Sequence, residues 1–344
     1  MRRSVVYQPH GAAVTRIPPV PPAAPMSVDT RTLESAEPAP PARVRSPTGL
    51  LWTRFRANRA AMVALVFIVV LAGLAIFAPL VADLVGHGPN DLYRTTMLDY
   101  YGLPKGPNAS FWFGADSAGR DLFVRVIYGA RVSLLVGVVA TAIASAIGVV
   151  FGLIAGYRGG WADTLLSRTS DVVLAMPLLL FAIGISSACG STPQGCVAGT
   201  LTPGLNLVIV IIAVFSWPAM FRIVRATTLS LRESAFVEAS RAIGMRGGNI
   251  IFREVLPNLI SPVVIYTALL IPESILFEAY LSFLGLGVPD STPSWGGMLD
   301  QASQLFNVAW WLMVFPGVFL LATIFAFNVV ADGLRDAFDP RTRG

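Results

Sequence analysis

Few residues in this chain could do chemistry, and their spacing excludes most reactions. Lys105, in LPKGPN, is the only lysine, and no G-x-x-x-x-G-K-[ST] surrounds it. The sequence therefore offers no loop of that type to cradle a nucleotide's phosphates. His10 and His87 stand in separate polar segments without metal-ligand spacing around them, so no metal site is expected. Glu273 and Glu278 are five residues apart, about 140° around a helix, which rules out a paired-carboxylate site. No nucleophile is patterned with a base. A non-catalytic chain without a cofactor of its own is expected.

Cys189 and Cys196, the only two cysteines, bracket the turn-rich stretch ACGSTPQGC. The intervening Gly and Pro make ring closure geometrically easy. An oxidising location would permit a disulfide, which is the favoured expectation over two free thiols.

The elements that position these residues are apolar. Hydrophobic residues make up 54% of the chain, charged residues 13%, and the mean hydropathy is +0.66. Soluble domains average about 25% charged residues, so the chain is expected to be an all-α integral membrane protein. Six apolar stretches, at about 60–82, 132–157, 165–188, 205–226, 259–286 and 310–331, each approach the ~20 residues that cross a bilayer. Pro177, Pro218, Pro262, Pro272 and Pro316 fall within four of them and predict kinks. Residues 1–46 are Pro- and Ala-rich without periodicity and are expected to form a disordered tail ahead of a membrane domain at 47–344. No apolar run of signal-peptide type follows Arg2 and Arg3.

The net charge of +5 does not point to nucleic acid, because the arginines flank the apolar stretches. With the N-terminus, the 158–168 and 222–257 segments and the C-terminus on one side, that side holds 20 arginines. The other holds only Arg94, Lys105, Arg120, Arg125 and Arg131. The asymmetry predicts that both termini and the 222–257 segment are cytoplasmic. On the other side, residues 83–110 read as a polar, turn-rich loop. Gly119 to Arg131 reads as an amphipathic interfacial helix with Leu122, Phe123, Val126 and Ile127 on one arc and Arg120, Asp121, Arg125 and Arg131 opposite.

Between two apolar stretches lies SAFVEASRAIGMRGGNIIFREVLP, residues 234–257. Phe236, Ala239 and Ile243 fall on one face of a short helix that Gly244 can end in a left-handed conformation. Asn249 can cap a second helix bounded by Pro257. A helical hairpin with an apolar stripe suits docking into another protein's groove.

Glu238-Ala239-Ser240, Gly244 and Leu256-Pro257 resemble the EAA loop of ABC-importer permeases. Ser240 replaces the usual alanine, and Glu254 stands where the general pattern has an apolar residue. FWFGADSAGRDLFVRVIYGARVSLL, EAYLSFLGLGVPDSTPSWGGML and FNVVADGLRDAFDPR resemble blocks of the dipeptide, oligopeptide and nickel importers' second permease subunit. The resemblance covers about 51–341. It implies a six-span permease in the cytoplasmic membrane that pairs with a homologous subunit. It further implies two ATPase subunits, or one fused ATPase, holding ATP and Mg, and an external binding protein. Glu238, Ala239, Ser240, Gly244, Leu256 and Pro257 would couple to the ATPase. Glu278, within a family block, is expected to make a structural bond. Glu273, beside Pro272, is the better candidate to face a pathway, with a structural bond as the blander reading. Peptides are the expected solute, nickel or another small solute the alternative. A self-contained secondary transporter would show inverted repeats, and the hallmark blocks are not repeated.

Overall fold

The computed structural model describes residues 47–190, 196 and 204–338, so the tail expected at 1–46 lies outside the described residues. The chain enters through α1 (Pro47–Ala57) and turns at Asn58, whose Oδ1 accepts from the Ala61 N–H and caps α2 (Arg59–Ile76). Two short helices follow, α3 (Ala78–Val85) and α4 (Arg94–Met97). Then come α5 (Leu122–Arg158), α6 (Gly160–Ala175), α7 (Leu178–Gly190) and α8 (Leu205–Arg232). After α9 (Ala235–Ala242), α10 (Gly247–Ile250) leads through a π turn at Ile251–Val255 into α11 (Leu256–Phe283). α12 (Trp295–Leu305) and α13 (Trp311–Phe338) complete the bundle.

Five helical segments are long and apolar enough to cross a membrane, and α6 with α7 makes a sixth if that bent pair is one span. The pair is bent by 84°. Pro177 causes the break: it lacks an N–H and drives the preceding residue from the helical region, and Met176 sits at φ −79°, ψ 128°. Among the described residues there is no strand, only isolated bridges at Leu98–Pro104 and Ala115–Asp121.

Two boundaries differ from the sequence expectation. The helix expected to lie on the membrane surface at 119–131 is instead the first part of α5, a single 37-residue helix. Its length, about 55 Å, exceeds the ~30 Å hydrocarbon thickness. Most of its polar arc is not wet: Arg120, Asp121 and Arg125 are buried along with Val124 and Val126, and Arg131 alone of the arc is exposed. Likewise, Pro257 does not end a helix, nor does Asn249 cap one. Arg246 stands at the N-cap, and the helix runs on through Pro257 into α11. The π turn makes this possible: the Leu256 N–H bonds the Ile251 carbonyl, a five-residue step that relieves the ring's clash with the usual four-residue ladder.

The tightest packing is between α5 and α8. A Cβ on Gly148 would lie 2.6 Å from Met220 Cβ, one on Gly152 2.7 Å from Val224 Cβ, and one on Gly156 2.6 Å from Thr228 Cβ. Glycine every fourth residue thus lays one side of α5 bare to α8. α11 closes on the same helix, where Gly137 faces Ile275. Elsewhere the outward faces are plain hydrocarbon, with Val63, Val66 and Val70 on α2 and Val318, Leu321 and Phe325 on α13 exposed. Lipid suits these surfaces and water does not.

Gly152→Leu should therefore force α5 from α8 and destabilise the bundle by about 1–3 kcal/mol, the usual range for overpacking a filled core. Thermal unfolding in detergent measures this. An unchanged melting temperature would show that the helices are not in close register there.

Candidate coupling hairpin and pathway residues

Residues 234–257 form the projecting element at one end of the bundle. α9 ends in a Schellman turn: the Gly244 N–H bonds the Arg241 carbonyl at 2.9 Å and the Met245 N–H bonds the Ser240 carbonyl at 3.1 Å. Gly244 has φ +80°, a conformation that side-chain-bearing residues adopt at a cost, and a Cβ there would meet nothing within 4 Å. On one side of α9, Val237 and Ser240 are buried. Val237 joins Met220, Val224, Ile250, Val255, Leu259 and Leu270 in one core cluster, which fastens both legs of the hairpin to α8 and α11. The other side is bare: Phe236 is 40% and Ile243 79% exposed, and Ala239 and Glu238 are exposed between them.

Leu256 and Pro257 lie in the first turn of α11, Leu256 half-buried and Pro257 exposed. The predicted coupling residues are therefore brought to one end of the fold. Glu238, in the first turn of α9, complements the positive end of the helix dipole. The Arg241 guanidinium lies 5.9 Å from the centre of the Tyr157 ring at the end of α5. Asp163 and Arg225 form a two-contact ion pair between α6 and α8, and Asp171 and Arg222 form a second at 2.8 Å. The hairpin thus rests on a braced platform.

Cys189 and Cys196 are joined, with Cα atoms 4.8 Å apart. Cys189 is buried against Leu207, Val208 and Ile211 of α8 and Cys196 packs against the same cluster, so the link joins Cys196 to the end of α7. Glu278 is fully buried in α11 and accepts from Ser133 Oγ at 2.7 Å and Ser282 Oγ at 2.8 Å. It therefore joins α11 to α5. Glu273 differs: it is exposed and lines a cavity of ≈ 260 Å³ with Tyr266, Leu269, Pro272, Leu276, Ile324 and Asn328.

A cluster not anticipated from sequence sits at the opposite end of α5. Asp116, Arg120 and Arg125 are buried, and Asp290 reaches them from the segment after α11. Arg120 contacts Asp116 at 2.6 Å and Asp290 at 2.7 Å. Arg125 donates to Asp290 Oδ1 at 2.9 Å and to the carbonyls of Pro89 and Asp290 at 3.1 Å. Its Nε stands 3.2 Å from Asp116 Oδ2 in an ion-pair contact without hydrogen-bonding geometry. Asp121 Oδ2 meets His87 Nδ1 at 2.6 Å, and its Oδ1 accepts the Phe123 N–H to cap α5. One signal was present in the sequence: Asp116 and Arg120 are four apart, and Arg125 follows within an apolar run.

The described residues thus form a helical bundle with segments long enough to span a membrane and a hairpin packed on one side and bare on the other. The chain belongs to the binding-protein-dependent transport system inner membrane component family, whose model matches residues 148–344. A second model, the N-terminal TM domain of oligopeptide transport permease C, matches residues 46–101. The chain is accordingly a multi-pass permease of the bacterial inner membrane, of the peptide-importer type read from the sequence. The glutathione transport system permease protein GsiD of Shigella dysenteriae serotype 1 is 41% identical over 304 residues, 88% of this chain and 94% of the relative. The GsiD protein of Escherichia coli O6:K15:H31 matches equally, 41% over the same coverage. Two inward-facing structures of the MetNI methionine ABC transporter share the fold at TM-scores of 0.50 and 0.51, covering 62% and 63% of this chain and 97% and 98% of theirs, with 18% and 17% identity.

The charged cluster makes a pH-dependent prediction. Burial works against an ionised Asp290, but the hydrogen bond from Arg120, the charges of Arg125 and Arg120 and the bond from Gln301 outweigh it and hold the carboxyl below its ordinary value. A depressed folded pKa stabilises fully above the unfolded value, about 4, and its contribution fades as pH falls through the folded value. Asp290→Asn should melt lower than wild type at pH 7, and the gap should narrow below about pH 4. Arg125→Ala should cost more, about 3 kcal/mol or above, because it strips a partner from buried Asp116. Melting curves across pH check both. A gap for Asp290→Asn that persists unchanged in acid would remove Asp290's charge from the explanation.

Proposed function

We propose that the chain is one half of the translocation pathway of an ATP-driven importer of short peptides, with its 234–257 hairpin docked on a cytoplasmic ATPase. The observation that carries this reading is the two-sidedness of α9. Val237 and Ser240 are fixed in the core while Phe236, Ala239 and Ile243 form an apolar stripe with nothing on it. An apolar helix face of this spacing seats in a groove. The 20 arginines on the hairpin's side of the membrane favour a cytoplasmic location for it and for both termini.

A homologous permease supplies the other half of the pathway, and an external binding protein delivers the solute. ATP and Mg are bound by separate ATPase chains, two subunits or one fused pair, and this chain is non-catalytic. Glu238, Ala239, Ser240, Gly244, Leu256 and Pro257 form the coupling surface, and Glu273 faces the pathway. The relatives named for glutathione, a tripeptide, support a peptide solute over nickel.

Gly244→Arg separates docking from folding. Within the chain an added side chain meets open space, so the only local cost is the positive φ, about 1 kcal/mol. The spans should insert normally, whereas ATPase binding, or its stimulation by loaded binding protein, should be lost. Co-purification and ATP hydrolysis by the reconstituted assembly measure this. Normal assembly and stimulation in Gly244→Arg would remove the hairpin from the coupling path.

A further inference from the structure

α11 has two unlike faces. The arc that carries Leu270, Ser274, Ile275, Glu278 and Ser282 is buried in the bundle. The opposite arc carries Tyr266, Glu273 and Tyr280, spaced seven residues apart and within about 40° of one another around the helix. Tyr280 is 52% exposed, Glu273 is exposed and Tyr266 half-buried. The stripe runs for about 21 Å, most of the hydrocarbon thickness. Asn328 of α13 borders the cavity at its centre.

This face differs from those of α2 and α13: Leu276 and Phe277 flank it with exposed apolar surface, but Glu273 stands among them. The α2 and α13 faces carry Val63, Val66, Val70, Leu321 and Phe325, with no polar group among them. Glu273 makes no hydrogen bond or ion pair with any described residue, and Asn328 turns its amide back to the Ile324 carbonyl of its own helix. A carboxylate at this depth is strongly disfavoured against lipid and is found facing water, a counter-charge or a solute. Pro272, within α11, has no N–H and so removes one bond of the helical ladder beside it.

We propose that the Tyr266–Glu273–Tyr280 face of α11 lines the solute pathway and that Glu273 is a way-station for the protonated amino group of the passing solute. The two tyrosines present rings for apolar and cationic groups and hydroxyls for water. One negative charge between them draws an ammonium into a narrow, poorly hydrated passage and rejects a free carboxylate. This rests on the reading of the chain as a permease and adds the chemical class that the passage prefers.

The test uses the assembled transporter in liposomes and does not depend on which solute is carried. Tyr266→Cys, Tyr280→Cys and, on the lipid face, Phe325→Cys are treated with a cationic and an anionic methanethiosulfonate. Rates are normalised to a small free thiol, with the unsubstituted chain as background. Positions 266 and 280 should react and position 325 should not. At 266 and 280 the cationic reagent should be favoured by about tenfold, the effect of one nearby charge of roughly 1.4 kcal/mol. Glu273→Gln should abolish that preference and Glu273→Asp should keep it. If 266 and 280 react as slowly as 325, the face is sealed against the partner subunit and the proposal fails. Equal rates for the two reagents with Glu273 present would likewise overturn the way-station. ATP-driven uptake of glutathione and of unmodified dipeptides by the unsubstituted assembly, run in parallel, judges the importer reading separately.

Discussion

The close approach of α5 and α8 across Gly148, Gly152 and Gly156 sets the rest of the structure. Met220 and Val224, the side chains that fill the room those glycines leave, are also members of the cluster that anchors Val237, Ile250 and Val255. One contact therefore fixes both the spacing of two spans and the seat of the hairpin. A larger residue on α5 would move Met220 and Val224, and the hairpin with them. Close-packed cores pass on such shifts because they have no slack to absorb them.

The two ends of α5 are built from different physics. At the hairpin end, one exposed and one partly buried ion pair between α6 and α8 and a cation over Tyr157 brace a platform of modest stability that leaves an apolar stripe bare. At the other end, buried charges of Asp116, Arg120 and Arg125 with Asp290 bind the segment before α5 to the segment after α11. Buried charges of this kind tolerate little rearrangement, since separating one partner leaves another uncompensated. Between these ends runs α11, continuous with the hairpin through the π turn and fastened to α5 through Glu278 and Ser133. Motion imposed on the hairpin would thus reach the Tyr266–Glu273–Tyr280 face along one helix.

Much of this was readable in the sequence because membranes impose strong rules. The apolar stretches, the break at Met176-Pro177 and the left-handed turn at Gly244 all follow from local chemistry. What escaped depends on partners distant in sequence. Arg120 and Arg125 look like a wet arc until Asp290, 165 residues beyond Arg125, is placed beside them. Pro257 looks like a stop until a π turn absorbs its ring. The Gly148, Gly152 and Gly156 repeat is visible in the sequence, but Met220, Val224 and Thr228 opposite it are not. Periodicity put Phe236, Ala239 and Ile243 on one face of α9, but only packing shows that this is the bare face and that Val237 faces inward.

The most direct measurement places a photoreactive benzophenone amino acid at Ile243, 79% exposed on the apolar stripe, in the complete transporter. Irradiation should join this chain to the cytoplasmic ATPase, and the same probe at Phe325 on the lipid face should not. A probe at Ile243 that captures only lipid, or only the external binding protein, would contradict both the docking face and the orientation of the bundle.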